Sequence, residues 1–149
     1  MTDTILVLRD GGIVTVVLNR PEKLNALTKP MWQRLGAVFE ELSADDSIRC
    51  VVIRGAGTKS FAPGNDISEF ENERGNVEQA QTYGRIMYRT IDAISNWRHP
   101  VVAMIHGICV GGGLEIAGWR TSASAANPRA SACRSRTSAS RWPTARFAR

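Results

Sequence analysis

Residues 101–118, VVAMIHGICVGGGLEIAG, constrain the fold of this chain more than any other segment. An apolar run that suits a buried strand ends at His106 and Gly107, and LEIAG begins a helix after three consecutive glycines. Glycine lets the backbone approach a ligand closely, and the first turn of a helix exposes unpaired N–H groups with partial positive charge. The segment therefore predicts a strand, a tight turn and a helix that together stabilise negative charge on an oxygen.

Two familiar glycine motifs do not fit this turn. The dinucleotide pattern G-x-G-x-x-G has a different spacing, and a P-loop needs Lys followed by Ser or Thr, whereas Gly113 and Leu114 stand at those positions. A simpler interpretation stays open, in which the glycines form a close-packed turn and Glu115 interacts with the helix dipole. His106, beside the turn, is expected to be structural.

A second loop, FAPGND at residues 61–66, also follows a strand-like run and also leads into a helical turn. The backbone N–H of Asn65 or of Asp66 could supply the second half of an anion-binding site. The alternative is an Asx-type turn at Pro-Gly-Asn-Asp without any ligand. Both interpretations remain open from the residues alone.

The rest of the chain alternates between strand-like and helix-like patterns. A turn at residues 10–12 joins two β-rich runs, which indicates a hairpin, and Thr28 can cap a helix with Pro30 in its first turn. The apolar residues at helical spacing in this helix are Met31, Leu35, Val38, Phe39 and Leu42. The later predicted elements are a strand at 50–55, a helix at about 77–96 and a strand at 101–107. The order β-β-α-β-α-β predicts an α/β fold with a parallel or mixed sheet and with its chemistry at the strand ends.

The basic charge of the chain is confined to its last 31 residues. The net charge is +5 and the pI about 9.6, values that would suit a nucleic-acid binder. Residues 119–149 hold seven arginines and no acidic residue, however, which leaves 12 basic and 14 acidic residues in 1–118. The positive charge therefore says nothing about the partners of the main body, although DNA binding through the arginine tail stays an alternative.

Compartment and membrane association follow from what the sequence lacks. No apolar run approaches the roughly 20 residues of a membrane helix, and the N-terminus has no secretion signal. Cys50, Cys109 and Cys133 form no C-x-x-C pair, and the first two lie in apolar stretches. These features favour a cytoplasmic protein with reduced thiols and no membrane partner.

Three segments in this order resemble the enoyl-CoA hydratase/isomerase (crotonase) superfamily. They are LNRPEKLNALT at 18–28, SFAPGNDISEF at 60–70 and the glycine-containing segment at 101–118. The resemblance implies an α/β fold of the ClpP/crotonase type, a spiral of ββα units, of which residues 1–118 would form the N-terminal part. It also implies an acyl-CoA substrate, no cofactor or metal beyond the CoA of that substrate, and homotrimers or hexamers among intact members.

The resemblance assigns roles to individual residues. The N–H groups of Asn65 and Gly112 would form the oxyanion hole that holds the thioester oxygen, and Glu115 matches the first of two catalytic glutamates. Lys59 would meet a CoA phosphate, although a solvated lysine is the simpler interpretation. The other residues implied in binding substrate or CoA are Lys23, Leu24, Ala26, Asp66, Ile67, Gly111 and Gly113.

Glu115 favours reversible hydration of a 2-trans-enoyl-CoA within this superfamily. The superfamily also includes isomerases, thioesterases, dehalogenases and carnitinyl-CoA dehydratases, which share the oxyanion hole and differ in other side chains. A further alternative is a catalytically inactive fragment, because Ser135 stands where the second carboxylate is expected.

Residues 119–149 have a composition unlike the rest of the chain, without Val, Leu, Ile, Met or Gly. Almost every residue there has a codon with G or C at its second base, which is typical of a GC-rich gene read one base out of register. Shifting the frame at Gly118 permits LADLRICGESSRFGVP, which resembles the family. We therefore expect a frameshifted, disordered tail, with a genuine basic disordered arm as the alternative. The coding DNA around codon 118 distinguishes the two.

Overall fold

The structure is a computed structural model that describes residues 3–118 and, for the backbone alone, 122–125. The strands are β1 (Ile5–Asp10), β2 (Ile13–Leu18), β3 (Cys50–Gly55), β4 (Ser60–Ala62), β5 (Val101–Ile105), β6 (Ile108–Cys109) and β7 (Ser122–Ala125). The helices are α1 (Lys29–Ser43), α2 (Phe70–Glu73), α3 (Val77–Ser95) and α4 (Gly112–Gly118). Single 3-10 turns occupy Pro21–Lys23 and Ile67–Glu69.

Two sheets organise the chain. The larger sheet has the order β1-β2-β3-β5-β7, with β1 antiparallel to β2 and every later pair parallel. The predicted hairpin and the order β-β-α-β-α-β are confirmed. The smaller sheet pairs β4 with β6 in parallel, and sequence reasoning missed both of these short strands.

Helix α1 forms where the residues predict it. The Thr28 side chain caps the helix by accepting a hydrogen bond from the backbone N–H of Met31 (3.4 Å), and Pro30 occupies the first turn. The predicted apolar face is buried in the core. It consists of Met31, Leu35, Val38, Phe39 and Leu42, and the structure also buries Trp32, which was not among the predicted residues.

Helix α3 packs closely against α1 where the two helices cross. A Cβ on Gly36 would lie 2.9 Å from Thr90 Oγ1, so only glycine allows the two helices to approach this closely. The buried Thr90 hydroxyl lies 2.8 Å from the carbonyl oxygen of Trp32 and 3.0 Å from that of Ile86. This contact fixes the backbone of Trp32, which reaches the candidate site described below.

The large sheet continues past residue 118, where the sequence places the start of the tail. Residues Ser122–Ala125 pair in parallel with β5, so this short part of the predicted disordered tail forms a strand. The remaining tail, with Cys133 and Ser135, lies outside the described residues. Within the part of the chain that the structure describes, no helix combines the length and apolar character needed to cross a bilayer.

Candidate functional site

The two loops that the sequence singles out meet at one edge of the small sheet. Strands β4 and β6 are parallel, so their carboxyl ends lie side by side, and each continues into one of the loops. The N–H of Val110 donates to the carbonyl oxygen of Ala62 at 3.2 Å. Gly113 lies against the same carbonyl, because a Cβ at that position would overlap the Ala62 oxygen. The two loops therefore pack backbone against backbone.

Glycines in both loops make this approach possible. Gly64 and Gly111 have φ angles of +108° and +52°, in the region that residues with a Cβ rarely adopt. A Cβ on Gly64 would lie 3.4 Å from the backbone nitrogen of Gly112, and one on Gly111 would lie 3.4 Å from Gly64 Cα. The turns are thus in direct van der Waals contact.

The N–H of Asn65 has no hydrogen-bond partner within the described part of the chain. Asn65 forms an isolated parallel bridge with Leu27, in which Leu27 N donates to Gly64 O and Asp66 N donates to Leu27 O, both at 2.8 Å. Successive N–H groups of extended backbone point to opposite sides, so the Asn65 N–H faces away from Leu27. The bridge also occupies the N–H of Asp66, whereas the N–H of Asn65 stays free.

The N–H of Gly112, on the other loop, is also free. It belongs to the first residue of α4, where a helix provides no internal acceptor. The next N–H groups are occupied, since Gly113 donates to Val110 O at 3.0 Å, and Leu114 and Glu115 donate to Gly111 O. Among the described residues, Asn65 and Gly112 thus each present an unpaired N–H on neighbouring turns.

Trp32 contacts both donor residues, and sequence reasoning missed it. Its indole Nε1–H donates to Asn65 Oδ1 at 2.7 Å, and its Cζ2 would lie 3.0 Å from a Cβ placed on Gly112. The fully buried indole therefore fixes the side chain of one donor residue and packs against the backbone of the other. An apolar position in a periodic helix gives no signal for this role.

An Asx-type turn, the alternative interpretation for Pro-Gly-Asn-Asp, begins only at Asp66, the last residue of the loop, and runs on to Ser68. Asp66 Oδ1 accepts hydrogen bonds from the backbone N–H of Ser68 (3.1 Å) and from its hydroxyl (2.7 Å). The Ser68 hydroxyl is the main cause that holds the pKa of Asp66 below its ordinary value, with a smaller contribution from Arg20. This turn leaves the Asn65 N–H unpaired, so the turn and the anion site are compatible.

Arg20 and Asn25 connect the loop around Leu24 to the site, and sequence reasoning missed both. One guanidinium nitrogen of Arg20 donates to Asp66 Oδ2 (3.0 Å) and to the carbonyl oxygen of Ala26 (2.8 Å). Asn25 is fully buried at a φ of +63°, and its side chain bonds Arg20 N and the carbonyl oxygens of residues 56 and 60. Two predicted binding residues, Ala26 and Asp66, are therefore brought together.

The other predicted binding residues are distributed around these loops. Leu24 and Ile67 are apolar yet 38% and 78% exposed, and Lys23 is exposed beside Leu24. Lys59 precedes β4, at the opposite end of that strand from Asn65, and its carbonyl oxygen accepts a bond from Ile108 N. The structure does not bring Lys59 into the cluster formed by the two turns.

Glu115 lies in the first turn of α4, three residues after Gly112. Its side chain is exposed, and its carboxylate has no hydrogen-bond partner among the residues described. His106 is half-buried at the end of β5. In the described ranges, no group of three or more His, Cys, Asp or Glu side chains has a geometry that could hold a metal ion.

Comparison with known proteins gives consistent matches. The family model of enoyl-CoA hydratase/isomerase matches residues 13–123. A short-chain-enoyl-CoA hydratase of Clostridium acetobutylicum is 31% identical over 115 residues, covering 77% of this chain and 43% of the relative. The mitochondrial Delta(3,5)-Delta(2,4)-dienoyl-CoA isomerase of Mus musculus is 35% identical over 114 residues, covering 70% and 34%.

Solved structures show the same similarity. An enoyl-CoA hydratase/carnithine racemase of Magnetospirillum magneticum superposes with a TM-score of 0.75 at 52% identity, covering 78% of this chain and 44% of the other. An enoyl-CoA hydratase of Mycobacterium smegmatis gives 0.79 at 34% identity, covering 83% and 48%. The chain thus spans less than half the length of these relatives.

Proposed function

The chain belongs to the enoyl-CoA hydratase/isomerase family, with an α/β fold of the crotonase type, and we propose that it binds an acyl-CoA thioester between its two glycine turns. In this proposal the thioester oxygen accepts hydrogen bonds from the N–H groups of Asn65 and Gly112. The reaction is reversible addition of water to a 2-trans-enoyl-CoA. The single observation that carries the proposal is the pair of unpaired N–H groups on adjoining turns.

The chemistry follows from where negative charge develops. When a nucleophile adds to the double bond of an enoyl thioester, electron density moves to the carbonyl oxygen and an enolate forms. Donors that are fixed before the reaction stabilise that charge without reorganising, and one such donor typically contributes about 3–4 kcal/mol to lowering the barrier. The contacts of Trp32 with Asn65 and Gly112 support such preorganisation.

Glu115 is the proposed group that holds or deprotonates the attacking water. Its place in the first turn of α4, one helical turn after Gly112, puts a carboxylate on the element that supplies one oxyanion donor. The exposed apolar side chains of Leu24 and Ile67 would border the CoA moiety, and the pairing of Arg20 with Asp66 would hold that border in place.

A second function, acyl-CoA binding without turnover, has one observation in its favour. Between Gly107 and Ala125, Glu115 is the only acidic residue. Hydration needs both the removal of a proton from water and the delivery of a proton to the α-carbon, and two positioned groups usually share these tasks. Binding alone requires only the two backbone donors and the CoA border.

Incubation of the full chain with crotonyl-CoA tests both functions. Loss of the enoyl absorbance, with 3-hydroxybutyryl-CoA identified by mass spectrometry, would support the hydratase. Glu115→Gln should abolish turnover while retaining thioester binding in calorimetric titration, because it removes the carboxylate and keeps the backbone donors. Binding without turnover by the unaltered chain would support the second function. Absence of both binding and turnover would refute the proposal.

A further inference from the structure

A cationic side chain lies beside the proposed thioester site without a carboxylate partner. Arg74 follows α2, and one of its Nη atoms donates to the sulfur of Met87 at 3.3 Å. The side-chain amide of Asn65 donates to the same sulfur at 3.6 Å. One sulfur atom therefore separates the Arg74 guanidinium from the residue that supplies an oxyanion donor.

The guanidinium is held by aromatic faces instead of by an acid. Its central carbon lies 3.9 Å from the ring centre of Tyr83 and 4.8 Å from that of Phe70. In the described residues, no carboxylate oxygen lies within 4 Å of it. Of the nearby acids, Glu73 pairs with Lys29 Nζ, whereas Glu69 accepts a bond only from the backbone N–H of Lys29 within the described chain, and besides burial its negative charge raises the pKa of Tyr83.

Two buried donors in this cluster have no acceptor in the described structure. They are Nε of Arg74 and the hydroxyl of Tyr83, whose side chain is only 1% exposed. Burial raises the pKa of the Tyr83 hydroxyl, so it keeps its proton and remains a donor. Buried donors without acceptors are rare in native structures and each one calls for a specific explanation.

Stacking on aromatic rings leaves the hydrogen-bonding capacity of a guanidinium unused. Arg has five N–H donors in a planar fork that matches the two oxygens of a carboxylate. A charge-assisted pair of this kind is roughly twice as strong as a bond between neutral groups. The weak sulfur acceptor of Met87 uses one donor and supplies no negative charge.

The position of the cluster relative to Asn65 indicates which part of a thioester would reach it. The residues proposed to border CoA lie on the loop around Leu24, joined to the site through Arg20 and Asp66. Arg74 and Tyr83 are instead joined to Asn65 through Met87 of α3, a contact separate from the Arg20–Asp66 pair, so the acyl group is the part of the thioester assigned to them.

We propose, building on the acyl-CoA binding proposed above, that Arg74 and Tyr83 form a subsite for a carboxylate at the distal end of the acyl group. The substrate class is then a dicarboxylic acyl-CoA, with one carboxyl in the thioester and the other free. The guanidinium supplies the charge and a pair of N–H donors, and the Tyr83 hydroxyl turns toward one of the carboxylate oxygens when the acyl group is bound.

Calorimetric titration with two saturated thioesters tests this subsite without requiring turnover. Succinyl-CoA carries the distal carboxylate, and 4-methylpentanoyl-CoA carries an isopropyl group of similar shape in its place. The full chain should bind succinyl-CoA at least about tenfold more tightly, and Arg74→Gln should reduce that ratio to about one. Arg85→Gln, which removes the same charge from an exposed position of α3, should preserve the ratio.

Tyr83→Phe separates ligand binding from folding. Because its hydroxyl has no acceptor in the described structure, its removal should leave the melting temperature of the unliganded protein unchanged or higher. The same variant should lower the preference for succinyl-CoA.

The outcomes distinguish the two proposals. Tight binding of both thioesters with no preference, or a preference that survives Arg74→Gln, would overturn the subsite and leave the acyl-CoA proposal standing. Binding of neither thioester would overturn the acyl-CoA proposal itself, and the subsite with it.

Discussion

Replacement of Gly112 by proline, compared with replacement by alanine, isolates the contribution of one backbone N–H. Both residues add a Cβ, which would meet Trp32 Cζ2 at 3.0 Å and Leu27 Cδ1 at 3.3 Å. Only proline removes the N–H as well. Because Gly112 is the first residue of α4, proline there removes no hydrogen bond internal to the helix. The two variants therefore share the added Cβ, and proline differs from alanine by the ring Cδ that replaces the hydrogen of the donor.

The magnitude follows from the charge that the donor faces. A hydrogen bond to an ionised group contributes about 1.5–3 kcal/mol, which corresponds to roughly a 10- to 150-fold change in affinity for an anionic oxygen. The shared Cβ requires its neighbours to shift by a few tenths of an ångström, so both variants should lose about 1 kcal/mol of stability relative to the unaltered chain. Gly112→Pro should accordingly bind an enolate roughly 10- to 150-fold more weakly than Gly112→Ala.

Acetoacetyl-CoA is a suitable ligand for this comparison, because its thioester enolises readily and the enolate absorbs in the ultraviolet. Titration of each variant, followed by the enolate absorbance, measures the affinity without depending on catalysis by Glu115. Free CoA serves as the control and should bind both variants equally, and melting temperatures show whether both are folded. Equal affinity of the two folded variants for acetoacetyl-CoA would refute the role of Gly112 as an oxyanion donor.

Three further predictions concern stability. The effects of Trp32→Phe and Asn65→Ala on the free energy of unfolding should be coupled by about 1 kcal/mol or more in a double-mutant cycle, because each removes the same hydrogen bond. As a control, the effect of Trp97→Phe should add to that of Asn65→Ala, since the Trp97 indole nitrogen has no partner in the described structure. Additivity of Trp32→Phe with Asn65→Ala would contradict the bond. A neighbouring serine hydroxyl lowers the pKa of Asp66 in the folded protein. The ionised Asp66 therefore stabilises the fold fully above the pKa that this carboxyl has in the unfolded chain, and this stabilisation is lost as the pH falls through the lower pKa of the folded state. Asp66→Asn should therefore destabilise the protein at neutral pH and progressively less in acid, and a difference independent of pH would count against this. Gly107→Ala should lower the free energy of unfolding, measured by urea denaturation, by about 3 kcal/mol or more, since φ is +65° and a Cβ would overlap a main-chain carbonyl oxygen. A decrease below about 1 kcal/mol would show that the turn relaxes to accept the side chain.

The main elements were predictable because their signals are local. The turn at residues 10–12, the Thr28 cap and the apolar spacing along α1 each lie within a few residues of the structure that they determine. Strands β4 and β6 were missed, because elements of three and two residues are too short to show a period. They exist only because residues far apart in the sequence pair with each other.

The side chains that support the site were missed for a related reason. Trp32 occupies an apolar position of a periodic helix, and nothing local indicates that its N–H meets Asn65, 33 residues away. Arg20 likewise meets Asp66 across 46 residues. Such contacts depend on how the elements pack, which local patterns do not encode.

The three consecutive glycines show how far a motif can be interpreted before the structure is known. Gly111 is required by its φ of +52°, and Gly113 by the Ala62 carbonyl that a Cβ would overlap. Gly112 combines a close contact with Trp32 and an N–H at the start of α4 that has no partner in the described structure. A glycine run therefore indicates that the backbone approaches something closely, while the direction of each N–H decides which residue can act. At Asn65, that direction is set by the bridge to Leu27, which no motif around the glycines contains.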